Sequence, residues 1–167
     1  MVFLDESGVN INMSRIYGRA KSDQRVNDGI PLNTPANTTI LSSVRLDGSS
    51  AFTTYIGGTK GTTFVEYLRN NLIPTLHKGD IVIMDNLRSH HVKEVCETLE
   101  AAGMIPLYLP PYSPDFNPIE KLWSKLKAIL RKLKVRTIEQ LPDAIQYAFS
   151  CISKQDCIGW FQSCGIS

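Results

Sequence analysis

The chain lacks any apolar run near the roughly 18 residues that a helical membrane span requires. Its first residues, Met1-Val2-Phe3-Leu4-Asp5-Glu6, have no basic stretch ahead of an apolar one, so no signal peptide is expected and a cytoplasmic location is. Cysteine is sparse: Cys96, Cys151, Cys157 and Cys164 form no C-x-x-C pair, which excludes a disulfide scaffold and favours reduced, buried thiols. Histidine is scarcer still, and His77, His90 and His91 lie far in sequence from the C-terminal cysteines, so a zinc site is not expected. Charged residues at 20% and hydrophobic residues at 43% exclude a disordered chain. At 167 residues, the chain is long enough for one domain with its own core.

One stretch lacks acids altogether. Residues 121–136 hold Lys121, Lys125, Lys127, Arg131, Lys132, Lys134 and Arg136, while the rest of the chain carries 11 basic against 16 acidic residues. The formal net charge of +2 therefore conceals a basic stripe on an acidic body, and a polyanion is expected to meet the protein along it.

Residues 2–4 read as a short strand ending at Asp5. A polar connection containing Arg15, Arg19, Lys21 and Arg25 follows. Residues 38–46 and 50–56 flank Asp47-Gly48, a strong hairpin signal. Thr63 and Glu66 have the spacing of a capping box opening a helix through Phe64, Leu68 and Leu72. Residues 80–85, Asp-Ile-Val-Ile-Met-Asp, suit a strand buried on both faces. Residues 91–102 predict a helix stopped by Gly103, and 104–109 another strand. Residues 110–118 contain four prolines and predict a stiff loop. Beyond it the pattern is helical, with breaks near Thr137, Pro142 and Gly159. This order predicts an α/β three-layer domain.

Three acids stand out by position. Asp5 and Asp85 each follow an apolar strand, at the edge where α/β sheets gather ligands. Alone, each could simply begin a turn. Glu120 follows Asn117-Pro118-Ile119, an arrangement that reads either as a helix cap or as a carboxylate aimed from a rigid first turn. The helix beyond it carries Ile119, Leu122, Trp123, Leu126, Ile129, Leu130 and Leu133 on one stripe, with its cations off that stripe. Two further motifs are set aside. Gly57-Gly58-Thr59-Lys60-Gly61 lacks the order of a phosphate loop, and Pro111-Tyr112-Ser113-Pro114 serves better as a rigid approach to Glu120 than as a ligand motif.

The segments VFLDES, IVIMDN and LPPYSPDFNPIEKLWSKLK together resemble the transposases of the mariner superfamily, in particular the bacterial insertion-sequence branch. The 34 residues between Asp85 and Glu120 match the interval typical of that group, and Ile16-Tyr17-Gly18-Arg19-Ala20 and residues 157–165 extend the likeness along the chain. The resemblance implies an RNase H-like fold with a central mixed sheet flanked by helices. It implies a DDE catalytic domain over residues 1–167, with a core over 1–135 and a helical extension over 136–167. Asp5, Asp85 and Glu120 would hold two Mg²⁺ or Mn²⁺ ions, Asp5 bridging them, Asp85 on the first and Glu120 on the second. The reaction implied is hydrolysis at the element ends, followed by attack of the freed 3′-hydroxyl on target DNA.

Asn86, His90, Asp115 and Asn117 are candidates to support the metal centre, Asn117 reading more readily as a cap. Lys125, Lys127, Arg131, Lys132 and Lys134 are candidates for DNA phosphate contact. The partners implied are double-stranded DNA, as element ends and target, and further copies of the chain in a dimer or higher assembly on DNA, in the nucleoid and away from membranes. The helix-turn-helix modules usual ahead of such a domain are absent from the sequence. A stand-alone RNase H-like nuclease and a non-catalytic, DNA-binding or dimerising relic remain as alternatives.

Overall fold

A computed structural model describes residues 1–15, 17–27, 29–30, 37–85, 93–111 and 113–166. Five strands form one mixed sheet: β1 (Val2–Val9), β2 (Thr38–Val44), β3 (Phe52–Ile56), β4 (Ile81–Met84) and β5 (Ile105–Tyr108), in the order β3-β2-β1-β4-β5. β1 runs antiparallel to β2 and parallel to β4, and β4 runs parallel to β5.

The hairpin expected at Asp47-Gly48 is β2–β3. Gly48 sits there at φ 92°, a conformation in which a Cβ is strained, and the Asp47 carboxylate accepts the Ser49 N–H at 2.8 Å.

Side chains alternate across β1 with the strand period of two. Val2 and Leu4 enter one core with Leu41, Val82 and Met84, under α1 (Gly61–Tyr67) and α2 (Lys93–Ala101). Phe3 and Val9 enter the other with Ile40, Val44 and Ile83, under α3 (Ile119–Leu133), α4 (Leu141–Ser150) and α5 (Lys154–Ser163). The three expected layers are present. Among the described residues no helix is long and apolar enough to cross a membrane.

Several local features differ from expectation. β1 does not end before Asp5 but runs on to Val9, because β2 pairs with it as far as Val9↔Thr38 and carries polar residues through the ladder. α1 begins at Gly61 with Lys60 as its cap and no side-chain capping bond, so Thr63 lies inside the helix rather than at its start. Phe64, Leu68 and Leu72 are buried as expected, the chain continuing through a π turn (Leu68–Leu72) and a 3₁₀ turn (Ile73–Thr75). Gly103 ends α2 at φ 81°, where it and Met104 donate back to Glu100 and Leu99.

Pro142 opens α4 rather than breaking a helix, since a first-turn proline gives up no intrahelical bond. Gly159 stays inside α5, which instead starts at a capping box of Ser153 and Asp156. Residues 136–167, expected as an extension, supply Leu141, Ile145, Phe149, Cys157 and Phe161 to the same core as Phe3. Phe161 meets Phe3 edge-on at 5.4 Å between ring centroids.

Candidate active site

The parallel pairing of β1 with β4 sets Leu4 beside Met84, so the next residue on each strand is an acid, Asp5 and Asp85. Asp5 follows Phe3 by two and therefore lies on the α3 side of the sheet. It is 5% exposed, while Asp85 is half-buried beyond the end of β4. Trp123 of α3 reaches down to donate its indole N–H to Asp5 Oδ2 at 3.0 Å.

Glu120, on the first turn of the same helix, is exposed. The Asp5 carboxyl is pushed up to about 7. Burial is the main cause, opposed by hydrogen bonds from Trp123 and the Glu6 backbone, and the charges of Asp85 and Glu120 push it further. The structure thus brings Asp5 within electrostatic reach of both Asp85, just past the end of β4, and Glu120, at the start of α3.

Asn117 does not act as the expected cap. The cap position of α3 is Pro118, with no side-chain capping bond, because the turn tightens one residue later through Glu120 N–H to Asn117 C=O at 3.2 Å. Asn117 is instead buried at 4% exposure, with its Oδ1 unpartnered. The capping-box role for Glu120 fails with it. Asp115 lies exposed in the 3₁₀ turn Pro114–Phe116. Asn86 and His90 lie outside the described residues.

The basic stripe divides. Lys125 is taken by Asp156, a charge-assisted bond that ties α3 to the capping box of α5 and holds the Asp156 carboxyl down to about 2, so this ammonium is spent on the protein rather than offered outward. Arg136 donates to the carbonyls of Ile11 and Met13 at 2.9 Å each, pinning the polar segment after β1 to the end of α3. Lys127 and Arg131 are half-buried, Lys132 and Lys134 exposed. Sequence reasoning missed the Trp123–Asp5 bond by treating Trp123 only as a core residue. Its place one turn after Glu120 was the available signal.

Among the described residues no three His, Cys, Asp or Glu side chains converge as a cage for a single ion. The donor set nonetheless suits hard divalent cations, which are commonly held by one or two carboxylates and water. A carboxyl raised by burial, and further by two neighbouring acids, is a site short of positive charge.

A five-stranded mixed sheet in this order with helices on both faces defines the RNase H-like class of fold. Residues 1–142 match the family described as DDE superfamily endonuclease, and the chain belongs to that family. Among curated proteins none matches the sequence.

Solved structures give the fold. The Mos1 transposase paired-end complex with left transposon end aligns with 96% of this chain at 18% identity and a TM-score of 0.76. The Mos1 mariner paired end complex with Mn aligns with 96% at 20% identity and a TM-score of 0.72. The catalytic domain of Mos1 mariner transposase aligns with 96% at 18% identity and a TM-score of 0.69, over 74% of that domain's own chain. The match spans 51% of the Mos1 chain in either complex, so this chain corresponds to about half of that transposase.

Proposed function

We propose that this chain is the catalytic domain of a DNA transposase of the bacterial insertion-sequence branch, working in cut-and-paste transposition with Asp5, Asp85 and Glu120 as its three acids. The observation that carries the proposal is the register of β1 and β4, which sets Asp5 and Asp85 next to one another at the sheet edge, with Glu120 on the first turn of α3 close enough for its charge to be felt at the buried Asp5 carboxyl. The Mos1 complexes with Mn and with Mg support a divalent metal for this chain as well.

Two Mg²⁺ or Mn²⁺ ions would be held by Asp5, Asp85 and Glu120. Bound there, they would supply activation of the attacking oxygen and stabilisation of charge on the leaving one. The protein's part is to fix the acids: β1 and β4 set two of them in register, and the first turn of α3 sets the third. Water is the nucleophile at the element end, and the freed 3′-hydroxyl then attacks target DNA.

Duplex DNA is the partner, held through Lys127, Arg131, Lys132 and Lys134, with further copies of the chain assembling on it in the nucleoid. Among the described residues Lys127, Arg131 and Lys132 have no acidic partner, which supports their availability to phosphates.

The test is cleavage of element-end DNA by the purified chain, supplied with an end-binding partner domain if binding requires one. Nicking is expected in Mg²⁺ or Mn²⁺ and not in EDTA, and strand joining is expected to follow. Asp85→Asn should abolish both while leaving the circular dichroism unchanged. Undiminished cleavage by that folded variant overturns the assignment, and cleavage without joining reduces it to a nuclease.

A further inference from the structure

α3 serves the site twice within one turn. Glu120 presents a carboxylate from the helix start, and Trp123, its neighbour at i+3, turns inward against the sheet. Trp123 is 3% exposed and Asp5 5%, so their 3.0 Å hydrogen bond is made out of water. A core position asks only for an apolar side chain, which Phe or Leu would supply. An indole adds a single donor and no acceptor, and here that donor is spent on a carboxylate, the stronger kind of hydrogen bond.

The consequence is directional. With Oδ2 tied to the indole, the plane of the Asp5 carboxylate is fixed about its Cβ–Cγ bond. The lone pairs not engaged by Trp123 then face one way. The bond joins residues 118 apart in sequence, so it also fixes the height of α3 over β1, and with it the place of Glu120.

We propose that Trp123 is the positioning residue of the first acid: its indole N–H sets the orientation in which Asp5 meets a divalent cation, and one helical turn thereby registers Asp5 against Glu120. The inference rests on the reading of Asp5 as a metal ligand. Partners that orient a ligand in this way are worth about 10–100-fold in metal affinity when removed.

The experiment measures Mn²⁺ binding to the whole chain without DNA, by calorimetry. Trp123→Phe keeps an aromatic ring in the core and deletes the donor. It is expected to lower Mn²⁺ affinity about 10–100-fold, while the circular dichroism stays that of the wild type. Trp160→Phe, which removes the other tryptophan, is expected to bind Mn²⁺ as the wild type does.

A second measurement does not depend on Trp123→Phe folding. In ¹⁵N-labelled protein the two indole N–H resonances are told apart with Trp160→Phe. The Trp123 resonance is expected to move on titration with Mg²⁺ and to stay still in Asp5→Asn. Wild-type affinity in a folded Trp123→Phe, or a Trp123 resonance indifferent to bound Mg²⁺, overturns the positioning role and leaves the proposed function standing. A wild-type chain that binds neither ion overturns both.

Discussion

The two ends of α3 put polar groups to opposite uses. At its start, Glu120 stays exposed while Trp123 turns into the sheet and donates to the Asp5 carboxyl, which burial raises to about 7. At its finish, Lys132 and Lys134 stand exposed, and Arg136 just beyond clasps backbone carbonyls of the segment after β1. An acid at the start and cations in the last turn both complement the helix dipole, so that term does not distinguish them. Burial of a polar contact does: at the first end the hydrogen bond from Trp123 to Asp5 is made inside the protein. The second end keeps Lys132 and Lys134 at the surface.

The largest effect should come from removing the charge at the first end. Glu120→Gln is expected to reduce DNA cleavage to background with the melting temperature nearly unchanged, since no side-chain cap is lost. A cap would have been worth about 0.5–2 kcal/mol. An active variant that melts clearly lower would return Glu120 to a structural role.

Next in size is the pH dependence of stability in metal-free protein. The Asp5 carboxyl sits at about 7 folded against 3.8 in the open chain, so the folded state holds its proton longer. The stability this group contributes is fully present below about pH 4 and is lost as pH rises through about 7. The loss amounts to about 4 kcal/mol at most, at 1.36 kcal/mol per unit. In EDTA, thermal melts of the wild type should fall over that window, and Asp5→Asn should remove this part of the fall. Parallel melting curves for the two proteins would mean that Asp5 is not the buried acid described here.

The smallest effect belongs to the open end. Lys127→Ala with Arg131→Ala is expected to weaken binding to every DNA sequence about equally, and to make the dependence of log K on log salt shallower by about one to two units. Lys125→Met should do the reverse, leaving the salt slope unchanged and lowering the melting temperature slightly, because its charge already belongs to Asp156. An unchanged slope in the double variant would mark the stripe as a solvated face.

What the sequence made legible was whatever local pattern controls. The unbroken apolar run of β4, the Asp47-Gly48 hairpin and the periodic stripe of α3 all stand where their patterns place them, and Asp5 lies within electrostatic reach of Asp85 and Glu120. What escaped depends on distant partners. β1 continues through Glu6, Ser7 and Gly8 only because β2 pairs alongside, and no strand pattern in those residues announces it. Lys125 finds Asp156 and Trp123 finds Asp5 across stretches that no spacing rule covers. At Asn117 the local rule favoured a cap, and packing buried the side chain instead.

The hydrogen bond from Trp123 also sets an order of events. The strand that carries Asp5 lies in the middle of the sheet, between β2 and a β4 that follows it some eighty residues along the chain. Its indole donor follows later still. Contacts so remote in sequence form slowly and near the end of folding. A nascent chain that has not reached α3 holds a lone strand carboxyl and nothing to orient it. An orienting partner for Asp5 is therefore in place only once α3 has been made and has packed back onto β1.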